Sequence, residues 1–298
     1  MNRLRSILCL ILLLATALTP GFAQQRSGLG ENAALRYWAA FAQMQDSAIT
    51  NEQAKELNLI LEGSAPYPDL KYRDLIEKNQ PALESMIRGT SIPACDWGMD
   101  YALGHDTPVD YVRRALELGR LNVLYSFHLL IAHDKDGAVR ALAAGIRFSR
   151  DVANGGTLFA TLVAKSLLVE HLRGMSFALH VSDLSPAQKS ILEKSVAQLG
   201  TGGLDWEGAV KRELAVLAVP ARTSTGTKML DPKAAAALAR ITSSYVALIS
   251  DPSVLAALEE AIAAAPQPLP GLIPNPKRVL EQKQDLITKI EQVRSSAQ

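Results

Sequence analysis

Cysteine is nearly absent: two occur in 298 residues, Cys9 and Cys95. Cys9 lies inside "SILCLILLLATAL", an apolar run that follows Arg3 and Arg5 and leads to the small-residue site "GFA" ending at Ala23. That is the layout of a cleaved export signal. With residues 1–23 removed, Cys95 is the single thiol and no intrachain disulfide can form. It is then a buried small hydrophobe, half of an intermolecular bridge, or a reactive group. Long hydrophobic runs are also missing. The leading one is broken by Thr16, Thr19, Pro20 and Gly21, short of the ~20 residues a membrane-spanning helix needs. The expectation is a mature chain that starts near Gln24, carries no transmembrane segment, and resides in the periplasm or is secreted.

Excess charge of either sign is lacking. Removing the leader takes two arginines and no acid, so 31 Lys+Arg become 29 against 30 Asp+Glu, a formal net of −1. Phosphate backbones require a clustered positive excess, so nucleic acid is not an expected partner. Aromatics make up only 5% within a hydrophobic content of 48%, leaving Ala and Leu as the main core formers, which suits close helix packing. Asn-Gly hairpin signals between alternating runs do not occur. Neither does a Gly-x-Ser-x-Gly elbow or a well-placed Ser-x-x-Lys pair. No motif implies a cofactor.

What is present is helical patterning, and the fold class expected is all-α. In "ENAALRYWAAFAQMQD", Leu35, Trp38, Phe41 and Gln45 recur at three- and four-residue spacing, with Ala34 and Tyr37 alongside. Thr50 and Gln53 have capping-box spacing, and the helix they open ends at Gly63. "DLKYRDLIEKN" follows, and Pro81 is read as opening a new piece that ends at Gly89. Thr107 and Pro108 read as N-cap and first residue of a long apolar helix carrying Val112, Leu116, Val123, Phe127 and Leu130. After the turn "DKDG", Ala138, Leu142, Gly145 and Ile146 share one face. The next helix puts Leu168, Leu172, Met175 and Leu179 on one side, and Lys165, Glu170, Arg173 and His180 on the other. Ser185, Pro186 and Gln188 give the strongest helix start in the chain. "RTSTGTKML" reads as a mobile surface loop. Asp231-Pro232 and Asp251-Pro252 are two further starts. Residues 266–276, "PQPLPGLIPNP", should be largely extended and lie along the helices. Residues 277–298 form an amphipathic helix with Val279, Leu286, Ile290 and Val293 in a seam that Lys283 interrupts. The domain expectation is a leader at 1–23, a helical domain at 24–265, a proline-rich segment at 266–276, and the terminal helix.

"HDKDGAVRALAAGIRFSRD" resembles the turn and second helix of a tetratricopeptide repeat, in which a tight turn precedes an Ala-rich helix with small residues at the crossing. The likeness covers one hairpin. With the leader and the "CDWGMDY" segment, the chain also resembles a group of exported all-helical bacterial proteins. The resemblance implies an array of antiparallel helical hairpins, repeat-like in the middle, and stacked hairpins form concave surfaces for peptides or partner proteins.

Reactive groups are densest in "CDWGMDYALGHD", residues 95–106. Cys95, Asp96, Trp97 and Asp100 are candidate binding residues. If 95–101 were helical, Asp96 and Asp100 would share a face, and like charges four apart favour an intervening cation. His105 and Asp106 would then complete an oxygen and nitrogen ligand set for Mn²⁺ or Zn²⁺. On the competing structural account Asp96 caps a helix, Trp97 fills the core, and Asp100 pairs with Arg113 or Arg114. His128 and His133 lie about 140° apart on a helix and cannot share a metal. His171 falls in an apolar arc, as a neutral core histidine does. Arg113 with Glu117, and Arg147 with Asp151, read as exposed i, i+4 pairs. The expected function is an exported binding or scaffold protein of the cell envelope, non-enzymatic, with an envelope protein or peptide as partner. The alternative is a hydrolase in which Asp96, Asp100, His105 and Asp106 hold a cation that activates water.

Overall fold

Three helices at the centre touch one another. They are α4 (Asp110–Ile131), α5 (Lys135–Ala153) and α6 (Leu158–Val181). The computed structural model describes residues 32–45, 49–219, 221–223, 226–228 and 230–297, so the expected leader lies outside the described residues. Before the central three come α1 (Ala33–Gln43), α2 (Asn51–Leu61) and α3 (Asp69–Gly89); after them come α7 (Pro186–Ala197), α8 (Trp206–Ala218), α9 (Pro232–Ser250), α10 (Leu255–Ala263), the single turn α11 (Leu269–Leu272) and α12 (Pro276–Ala297). The fold is all-α. Among the described residues no helix is long and apolar enough to cross a membrane.

Local chemistry explains most of the boundaries. Thr50 and Gln53 form a reciprocal capping box on α2, and Ser185 with Gln188 forms another on α7. Gly63, past the end of α2, has φ +71°, where a side chain would be strained. Asp231 accepts the Ala234 amide at 2.8 Å and Pro232 sits where no amide partner is lost. The turn between α4 and α5 is closed by Asp134, whose carboxylate accepts the Gly137 amide at 2.8 Å.

Five expectations need correction. Helix α3 runs unbroken through Pro81, because Pro81 and the Glu77 carbonyl it leaves without a donor both lie on the water side. On α1 the buried face is Ala34, Tyr37 and Phe41, while Leu35 and Trp38 are 46% and 41% exposed. Thr107 does not cap α4, which starts at Asp110; its hydroxyl donates to the carbonyls of Gly104 (2.8 Å) and Asp100 (3.0 Å). The threonine-rich stretch read as a loop holds β1 (Ala221–Thr223) paired antiparallel with β2 (Gly226–Lys228), as β-branched residues favour. The proline segment includes the helical turn α11, since Pro270 stands in its first turn. That segment does lie along the helices: Leu269 and Ile273 are buried, and the Tyr245 hydroxyl donates to the Pro274 carbonyl at 3.0 Å.

Packing is not confined to neighbours in the chain, as it is in a simple repeat array. Helix α12 folds back across α6 and α7, burying Val279, Leu286, Ile290 and Val293 in the same core as Leu168, Leu172 and Trp206. Lys283, the polar break in that seam, satisfies a helix end: its ammonium reaches the Ile249 carbonyl at 2.5 Å, at the carbonyl end of α9. Lys165 of α6 binds Gln282 (3.0 Å) and Asp285 of α12.

Candidate functional site

Residues 95–100 are not helical; they form an irregular strap that leads into a 3₁₀ turn, Tyr101–Asp106. Asp96 and Asp100 therefore do not share a helical face. Each carboxylate accepts the amide two residues ahead, Gly98 at 2.9 Å and Ala102 at 3.0 Å, which closes a local turn. Arg113 and Arg114 both pair with Glu117, not with Asp100. The side chains of His105 and Asp106 lie outside the described residues. Among the described residues no three His, Cys, Asp or Glu side chains gather in metal-binding geometry.

Cys95 and Trp97 point inward. The Trp97 ring lies 4.3 Å from Tyr111 between centroids, stacks on Tyr37 and Phe41, and donates through Nε1 to the Asp151 carbonyl at 2.7 Å. The Cys95 thiol faces the same carbonyl at 3.8 Å. Burial and the nearby Asp151 carboxylate push the thiol pKa up, so it stays protonated and is a poor nucleophile. Asn32 holds the strap from the other side. It donates to the Asp96 carbonyl (2.8 Å) and accepts the Asp96 amide (2.9 Å) while also capping α1.

All of this converges on Asp151 at the end of α5. Read from spacing as half of an exposed pair with Arg147, it is in fact 3% exposed. Its carboxylate takes the Tyr37 hydroxyl at 2.7 Å and Arg147 Nε at 2.8 and 3.0 Å. Burial raises its pKa on balance, against Tyr37 and Arg147, which lower it. The far end of Arg147 donates to the carbonyls of Pro93 (2.6 Å) and Ile92 (3.2 Å). Tyr37, Trp97 and Asp151 are far apart in the chain, so spacing could not place them together. The one local hint is that Asp151 sits between Phe148 and Val152, both buried.

A second buried polar group joins α4, α5 and α6. His171 is fully buried; its Nδ1 lies 2.8 Å from the Leu167 carbonyl and its Nε2 3.1 Å from Asn122, and desolvation lowers its pKa to about 4. It is the neutral core histidine that its arc indicates. Glu170, placed on the polar arc by the helical wheel, is buried as well, because α6 is enclosed by neighbours on nearly every side; Arg120 pairs with it at 3.2 Å. His128 is held by Asp69 at 2.6 Å, and His180 is exposed.

The outer face of α5 is different in kind. It forms the floor of a groove of three cavities that follow one another, of about 240 Å³ between α3, α4 and α5, 370 Å³ between α3, α5 and α7, and 360 Å³ between the end of α5, Pro93 and the turn 199–205 after α7. The first and second share Ile87 and Arg140; the second and third share Arg147. The middle cavity has Arg140, Arg147 and Lys194 on its walls, apolar Ala143, Ala144 and Ile191 between them, and no carboxylate. Sequence spacing does not reveal this groove, because Arg140, Arg147 and Arg150 of α5 meet Arg88 of α3 and Lys194 of α7 only through the packing of three helices. No protein-family model, curated protein or solved structure matches the chain.

Proposed function

We propose that this chain is an exported helical binding or scaffold protein of the cell envelope, and that the groove along α5 receives an extended segment of a partner protein or peptide. The observation that carries the reading is that the three cavities follow one another along α5 through shared lining residues, Ile87 and Arg140 and then Arg147. The floor from Gly137 to Asn154 is about 25 Å long at 1.5 Å per helical residue, enough for about seven residues of extended chain. Mixed apolar and polar walls suit a segment held by its side chains. The export-signal layout of the first 23 residues supports the placement in the envelope. The strap at 95–100 has a supporting role in this reading: through Asp151 and Arg147 it holds the end of α5 against α1 and so keeps one end of the groove in shape.

The test is a selection of random heptapeptides displayed on phage against the mature chain, repeated against Ala143→Trp, which places a large ring on the groove floor. Peptides recovered on the native chain and lost on the variant support the reading. Equal recovery on both, or none on either, refutes it.

A further inference from the structure

We infer that the occupant of the α5 groove is an acidic extended peptide, recognised by carboxylates that reach Arg140, Arg150 and Lys194; this rests on the groove reading above. Those three cations form no ion pair among the described residues, whereas most charged neighbours are already engaged. Arg88 is paired with Glu84 at 3.5 Å. Asp151 is sealed by Arg147 and Tyr37. Asp205 caps α8 through the Gly208 amide at 2.9 Å and pairs with Arg212 at 3.1 Å. In the middle cavity Arg147 is matched by Asp151, but Arg140 and Lys194 have no carboxylate beside them, so the cavity carries a net positive field.

Its shape selects among anions. Arg140 and Arg150 are ten residues apart on α5, about 15 Å along the helix, so a single phosphate or small carboxylate meets one of them at a time. A chain with carboxylates at several positions meets them together. The apolar strip of Ile87, Ala143, Ala144 and Ile191 asks for aliphatic side chains between the acids, and Ile191 is 45% exposed, ready to be covered. Among the groove-lining residues only Tyr125 is aromatic. Single-stranded nucleic acid uses stacking on successive aromatic rings, so a polyphosphate with bases fits less well.

Fluorescence anisotropy with three labelled heptapeptides tests this: one alternating Glu with Leu, one alternating Lys with Leu, and one alternating Gln with Leu, beside a labelled oligothymidine of equal length. The Glu peptide is expected to bind most tightly, to weaken with added salt, and to lose about tenfold or more in affinity on an Arg140→Glu, Lys194→Glu double variant. Both residues are exposed, so unchanged circular dichroism should accompany the loss. If the Gln or Lys peptide binds as tightly as the Glu peptide and is lost on Ala143→Trp, the acidic assignment falls and the groove reading stands. Peptide binding that survives Ala143→Trp, or no peptide binding at all, overturns both. Tighter binding of the oligothymidine overturns the acidic-peptide assignment.

Discussion

Replacing Asp151 by Asn would keep the shape of the side chain and remove the charge on which Tyr37 and Arg147 converge. The expected cost is about 2 to 3 kcal/mol in urea unfolding, less than for a fully enclosed pair, because Arg147 keeps 20% of its side chain in water. Gly145 tests the second polar group: a Cβ there would stand 2.0 Å from the His171 ring and 2.7 Å from Asn122, so Gly145→Ala should cost about 1 to 3 kcal/mol by overpacking. His171 itself has a pH signature. Its pKa of about 4 in the fold lies below its ordinary 6.5, so between those values the unfolded chain binds a proton that the folded chain refuses. Stability is complete above pH 6.5 and falls as the pH drops toward 4, by about 3 kcal/mol from this group. A His171→Asn variant should lose that slope when the two chains are melted side by side across the window. Asp96→Asn with Asp100→Asn should shift stability by no more than about 0.5 kcal/mol, since Asn closes the same turns. Metal bound in the native chain and lost in that double variant, measured by mass spectrometry, would restore the cation-site alternative. His171 was legible in the sequence because its burial follows from the periodicity of its own helix. Asp151 was not, because burial there is imposed by Tyr37 and Trp97 from distant segments.

At the scale of the element, the legible features are those decided within one turn of chain. The capping boxes of α2 and α7, the glycine after α2 and the Asp-Pro start of α9 are where local chemistry puts them. Pro81 misled because a proline's effect depends on which side of the helix loses its hydrogen bond, and that is settled by packing. The strap at 95–100 was unreadable for a related reason. Apart from the Asp96–Gly98 turn, its residues bond to Asn32, Asp151 and Asn154, so no periodicity marks it. The seam of α12 was legible, and its partners are now visible. Leu286→Ala should cost about 2 to 5 kcal/mol in chemical denaturation, as expected for a fully buried leucine. Deletion of residues 277–298 should expose the flank of α6 and α7 and give an aggregating chain in size-exclusion chromatography. Self-association of the native chain through that helix would instead give an oligomer that the deletion turns into a well-folded monomer.

For the molecule as a whole, composition was a good guide to class: few aromatics, many Ala and Leu, and an all-α structure in which strands are confined, among the described residues, to the short β1–β2 hairpin. Composition could not reveal the groove, because a near-neutral chain can still gather its cations on one face. The arrangement of the terminal helix has a consequence in time. A chain is made in order along its sequence, yet the core around α6 and α7 needs α12, more than a hundred residues after α6 begins, to be covered. Those two helices stay open along one flank until α12 has been made, so their finished packing must await it. A polypeptide cut short before α12 would carry the whole groove and strap yet leave an oily flank uncovered, and quality-control proteases recognise that kind of surface.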